Sequence, residues 1–171
     1  MRSPEYASPP SVEIIAMRDF SEEQRRLYEA AFRKVVEPLY GDQAGSIEKM
    51  RRGEDREAYV LLVGGEITGT LVYKKALQSE YGLAQAFEIK TLCLFDAEHN
   101  SGRGYATHLL EMAENAAEQA GAASLFVTVA EDKPEVVSFF KRHGFYCVRV
   151  LPNAYRQGVS ELVYAKDRER V

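Results

Sequence analysis

Residues 87–120 constrain the fold more tightly than any other stretch of the chain. Phe87 to Phe95 is an apolar run of strand length, apolar enough to be central in a sheet. A polar segment containing Gly102 and Gly104 follows it. Tyr105/Ala106, Leu109/Leu110, Ala113, Ala116/Ala117 and Ala120 then recur at helical spacing, and Gly121 stands where such a helix stops. The pattern predicts a strand, a glycine turn and a helix over 103–120. Glycines in that turn let the backbone approach a ligand, and the unpaired amides that open a helix point at an anion. A dinucleotide fingerprint, G-x-G-x-x-G, is excluded because Thr107 occupies the third glycine position. The companion acid expected about 20 residues on is also missing, since Leu125 to Val129 is apolar.

Elsewhere, Val12 to Met17 reads as a short strand. Ser21 and Gln24 form a capping box for a helix whose stripe is Tyr28, Ala31, Phe32, Val35 and Leu39, kinked or ended near Pro38. Ser46 to Arg52 predicts a shorter helix. Tyr59 to Val63, the turn Gly64-Gly65-Glu66, and Ile67 to Tyr73 predict an antiparallel hairpin. Leu125 to Ala130 is a buried strand, and Asp132 is expected to cap a helix with the apolar face Val136, Val137, Phe139 and Phe140. Phe145 to Leu151 and Val159 to Ala165 are the last strands. The domain reading is a flexible tail over residues 1–10 and a single α/β domain over 11–171.

The composition excludes several functions. A net charge of −4 argues against broad nucleic-acid binding, and the apolar runs are far shorter than the ~20 residues of a membrane span. Two cysteines, Cys93 and Cys147, form no disulfide framework, which points to a reducing, cytoplasmic setting. Cys93, Cys147, His99 and His143 lack ligand spacing, so no metal is expected.

Two motifs in the second half carry a family resemblance. Ser101-x-x-Gly104-x-Ala106 closely resembles the acyl-CoA pyrophosphate loop of the GNAT acetyltransferases, R/Q-x-x-G-x-G/A, with Ser101 departing at the first position. Ser138 to Phe145, with its Gly144-Phe145 ending, looks like that family's late helix beside the pantetheine arm. The resemblance implies a mixed, mostly antiparallel seven-stranded sheet with helices on both faces, ordered β-α-α-β-β-β-α-β-α-β-β. It also implies acetyl-CoA as cosubstrate, direct transfer to a small-molecule or protein amine, and no nucleic-acid or membrane partner. Homodimers are common among such relatives.

The implied cofactor contacts are Leu92, Cys93 and Leu94, whose strand amides resemble an oxyanion hole, and the loop Ser101, Gly102, Arg103, Gly104, Tyr105, Ala106 and Thr107. Lys133 and Phe140 complete the set, standing where Asn and Tyr are common. Phe140 has no hydroxyl with which to act as general acid, so Tyr146, Tyr155 and Tyr164 are candidate substitutes, with Tyr146 the choice. Glu88 is the candidate general base, with an ion-paired glutamate beside Lys90 as the competing reading. Tyr155 and Arg156, with Tyr40, Asp42 and the loop Ser79 to Tyr81, mark the acceptor side. The departures at Ser101, Lys133 and Phe140 motivate the alternative of an acyl-CoA-binding sensor without catalysis.

Overall fold

The computed structural model describes residues 8–168. Of the tail expected over 1–10, residues 1–7 lie outside the described residues. Ser8, Pro9 and Pro10 are exposed and outside regular structure.

The elements run β1 (Val12–Ala16), α1 (Glu22–Tyr40), α2 (Ala44–Arg52), β2 (Arg56–Val63), β3 (Glu66–Lys74), β4 (Ala86–Leu94) and α3 (Ala97–Asn100). After these come α4 (Tyr105–Gln119), β5 (Ser124–Ala130), α5 (Pro134–Arg142), β6 (Tyr146–Arg156) and β7 (Val159–Asp167). All seven strands form one sheet in the order β1-β2-β3-β4-β5-β7-β6. Among the described residues β4–β5 is the one parallel pairing, and α4 makes its crossover; α5 makes a second crossover, from β5 past β7 to β6, which is not hydrogen-bonded to β5.

The alternation of each strand divides the core between two faces. Leu61, Leu71, Phe87, Ile89, Leu125 and Val127 pack against the α4 stripe, with Leu109, Leu110 and Ala113 at its centre. Ala58, Val60, Leu62 and Val72 point the other way, onto Tyr28, Phe32 and Val36 of α1 and Ile47 and Met50 of α2. The expected capping box is present: the Gln24 amide donates to Ser21 Oγ at 3.2 Å and the Ser21 amide to Gln24 Oε1 at 3.0 Å. Gly69 lets β3 approach closely, since a Cβ there would stand 2.9 Å from the Cys93 carbonyl oxygen.

Three local expectations are corrected. An additional short helix, α3, separates β4 from the glycine turn, so the order gains an element. It is held by Asn100, whose side-chain amide donates to the Phe95 and Asp96 carbonyls. Asp132 does not cap α5; its carboxylate takes both terminal nitrogens of Arg156, at 2.8 and 3.0 Å. The sixth strand continues past Leu151 to Arg156 through an irregularity in its pairing with β7, with Asn153 at φ 53°. Tyr155 and Arg156 therefore stand at a strand end and not in an open loop.

Candidate active site

The site begins where the parallel pair fails. β4 and β5 stay in register from Ala86–Ser124 to Ile89–Val127 and then separate. β4 continues along β3 while β5 follows β7 as far as Ala130–Glu161. The gap between them is a cleft of about 410 Å³, walled by Lys90–Cys93 on one side and Val127–Ala130 on the other.

A bulge sets what faces that gap. Val72 pairs with Thr91 but Tyr73 pairs with Ile89, so Lys90 is an extra residue in β4. The alternation shifts there. Phe87 and Ile89 face α4 before the bulge, Leu92 and Leu94 face it afterwards, and Cys93 turns to the α1 side. The bulge therefore lies at Lys90, just ahead of the Leu92–Leu94 amides that the resemblance assigns to the oxyanion hole. The Phe95 amide donates to the Thr68 carbonyl of β3 at 2.8 Å. By strand alternation the amides of Leu92 and Leu94 point the opposite way, where β5 has departed. Burial pushes the Cys93 thiol up to about 12, so this half-buried residue of the cleft wall stays protonated at neutral pH.

The glycine turn supplies a second set of free amides. Gly102 and Gly104 have φ of 78° and 80°, the left-handed region that disfavours a side chain, and the space before both is open. Gly104 caps α4 without a side-chain hydrogen bond, and no acidic residue occupies the first turn. The first intrahelical bond runs from the His108 amide to the Gly104 carbonyl, which leaves the amides of Tyr105, Ala106 and Thr107 for an external acceptor. Tyr105 itself is buried in the core. The Ser101 hydroxyl is spent on the Ala97 carbonyl, while exposed Arg103 makes no ion pair among the described residues.

His143 ties this turn to the cleft. Its Nδ1 lies 2.8 Å from the Phe139 carbonyl and its Nε2 lies 3.3 Å from Thr107 Oγ1. It thus complements the end of α5 and also braces the start of α4. From α5 and its N-cap, Lys133, Val136 and Phe140 reach the cleft wall.

The far end of the cleft is formed by Tyr40, Asp42, Gln43 and Tyr155. The Tyr40 and Tyr155 rings meet edge-to-face at 5.0 Å. Tyr40 donates from its hydroxyl to Glu161 Oε1 at 3.0 Å. Glu161 is 2% exposed, and burial raises its carboxyl above the usual range despite that bond and nearby Arg156. Glu161 belongs to no motif in the sequence. The signal was an acid on the inward register of an alternating strand, in line with buried Val163 and Ala165.

Neither Glu88 nor Tyr146, the residues expected as base and acid, lines the cleft. Glu88 is buried at the base of the splay, 3.5 Å from Lys90 Nζ and 3.6 Å from Lys74 Nζ, and is absent from the cleft wall. Tyr146 lies on the edge strand β6, about half exposed, and donates to Asp167 Oδ2. Arg156 stands behind Tyr155, engaged by Asp132. Tyr81 packs against Phe126 outside the cleft. Among the described residues no cluster of three or more His, Cys, Asp or Glu is arranged to hold a metal ion, and no helix is long and apolar enough to cross a membrane.

Comparison with known proteins bears on the family and the fold. Residues 17–145 match the family model described as acetyltransferase (GNAT) family. Arabidopsis thaliana NAA60, solved with a bisubstrate analogue, superposes with a TM-score of 0.76 at 16% identity, over 92% of this chain and 98% of that one. An aminoglycoside 6'-N-acetyltransferase complexed with coenzyme A gives 0.73 at 17% identity, covering 93% and 99%. The aminoglycoside 6'-N-acetyltransferase from Enterococcus faecium gives 0.64 at 16%, covering 93% and 99%. No curated protein matches the sequence significantly.

Proposed function

The chain belongs to the GNAT acetyltransferase family, and from that premise we propose that it transfers an acetyl group from acetyl-CoA directly to an amine. The observation that carries this reading is the pairing of two sets of free amides, one in the Gly102–Thr107 turn and one along splayed β4, with α5 bridging them. A pyrophosphate suits the first set, because left-handed glycines and a helix start converge N–H groups on an anion, and Arg103 adds charge. The pantetheine arm carries amides of its own and suits the second, pairing with strand edges as an added strand would. The Leu92 amide then donates to the thioester oxygen as negative charge develops on it.

The acceptor enters from the Tyr40–Tyr155 end, where nitrogen is aimed along the cleft at the thioester carbon. Loss of its proton exposes the lone pair, the C–N bond forms, and the C–S bond breaks to release a thiolate. A thiol of this type has a pKa of about 8.5, so the thiolate leaves and takes a proton from solvent without an enzymic acid. This fits a site in which Phe140 has no hydroxyl and Tyr146 is engaged elsewhere.

The two lysines that hold Glu88 give its substitution a small expected effect. Glu88→Gln should lower kcat by less than about threefold, against the ~10²–10⁴ expected for loss of a working general base. A loss above a hundredfold, measured by thiol release, would return the base to Glu88.

The reading as a whole is tested by calorimetric titration with acetyl-CoA, desulfo-CoA and NADH, followed by a thiol-release screen of amines. Micromolar binding of both CoA species without NADH, and turnover with an amine, are expected. Binding without turnover on any amine would make the protein an acyl-CoA sensor; absence of CoA binding would end the proposal.

A further inference from the structure

We propose that Tyr40 and Glu161 form a proton relay that receives the acceptor's ammonium proton, and so select a cationic amine as substrate. The inference rests on the acetyl-transfer reading above and gives its acceptor end a base. Tyr40 lines the cleft, whereas Glu161 lies behind it and is almost fully buried. Because the Tyr40 hydroxyl donates its proton to Glu161 Oε1 at 3.0 Å, its oxygen lone pairs are left to accept from a donor in the cleft. An ammonium nitrogen is such a donor, and the Tyr40 and Tyr155 rings meeting at 5.0 Å present aromatic surface to a cation beside it.

The transfer balances without any further reagent. One ammonium N–H bond breaks and its proton goes to the Tyr40 oxygen. The proton that Tyr40 held passes to Glu161 Oε1, so the tyrosine ends neutral and the carboxylate ends as a carboxylic acid. The acceptor is left as a free amine facing the thioester. Burial supports this role, since a carboxylate held above its usual range accepts a proton more readily than an exposed one. The charged and titratable groups around Glu161 are Tyr40 from α1, Tyr155 and Arg156 from β6, and Asp132 ahead of α5. Burial outweighs the pull of Arg156, which lowers the Glu161 carboxyl, and Asp132, which takes both terminal nitrogens of Arg156, opposes that pull.

The test uses Glu161→Gln, Tyr40→Phe and the double variant, assayed by thiol release across pH with an aminoglycoside, a polyamine and a peptide with a free N-terminus. Glu161→Gln keeps an oxygen for the Tyr40 hydroxyl, and Tyr40→Phe keeps the ring against Tyr155. Each single variant is expected to lower kcat about a hundredfold at neutral pH, with the deficit shrinking as pH rises and the free amine appears. The double variant should be no slower than either single, as for two groups on one proton path. The KM for acetyl-CoA and its calorimetric affinity should not move. Unchanged kcat and pH profile in either single variant, or losses that multiply in the double, would overturn the relay while leaving acetyl transfer standing. A wild-type protein inactive on every amine would overturn both.

Discussion

Replacing Gly104 by Glu is expected to weaken CoA binding by about a thousandfold while leaving the protein folded. Two effects act together at this position. The backbone sits at φ 80°, where a side chain costs about 1–2 kcal/mol, a strain borne by an exposed turn and not by the core. More important, the carboxylate would stand in the open space before the free amides, where the pyrophosphate is proposed to lie. Two like charges about 4 Å apart at a protein surface repel by about 4 kcal/mol, which is roughly a thousandfold in affinity. Gly104→Asn separates the causes, because Asn tolerates the left-handed region and adds no charge. It should bind within about tenfold of wild type. Calorimetry on both variants decides the matter, and unchanged affinity in Gly104→Glu would remove the phosphate site from this turn.

The largest effect on stability is expected from Phe140→Ala. Phe140 is 1% exposed, packs edge-on against Phe139 and Phe145, and also reaches the cleft wall. Truncating a buried phenylalanine costs about 3–5 kcal/mol through lost transfer energy and the cavity left behind. At roughly 2–4 °C per kcal/mol for a chain of this size, the midpoint should fall by about 10 °C. The KM for acetyl-CoA should rise in the same variant, since the wall beside the proposed pantetheine path recedes. A melting midpoint within 2 °C of wild type would show that α5 is not packed as described.

Much of the fold was legible because its signals are local. The α4 stripe, the capping box at Ser21 and the hairpin at Gly64–Gly65 each depend on residues within a few positions of one another. What the sequence left open has a different cause. Asp132 reads as a helix cap when only the following residues are considered, yet its carboxylate binds Arg156, 24 residues away. Glu88 and Leu92 share a face only if β4 alternates without interruption, and the extra residue Lys90 breaks that count. Tyr146 is a plausible acid by sequence position, but β6 is the outer strand and carries it to the sheet edge.

The sequence by itself therefore determined the order of strands and long helices, the glycine turn and the family. Backbone preferences, hydrophobic period and left-handed glycines are properties of short segments. Only the tertiary structure brings the candidate cleft together. The cleft exists because β3 and β7 draw β4 and β5 apart beyond Ile89 and Val127, a competition between strands that no single segment encodes. The same holds for Tyr40 and Glu161, 121 residues apart, which meet because α1 ends over the start of β7. Burial in that position, and not any neighbouring residue in the chain, is what raises the Glu161 carboxyl.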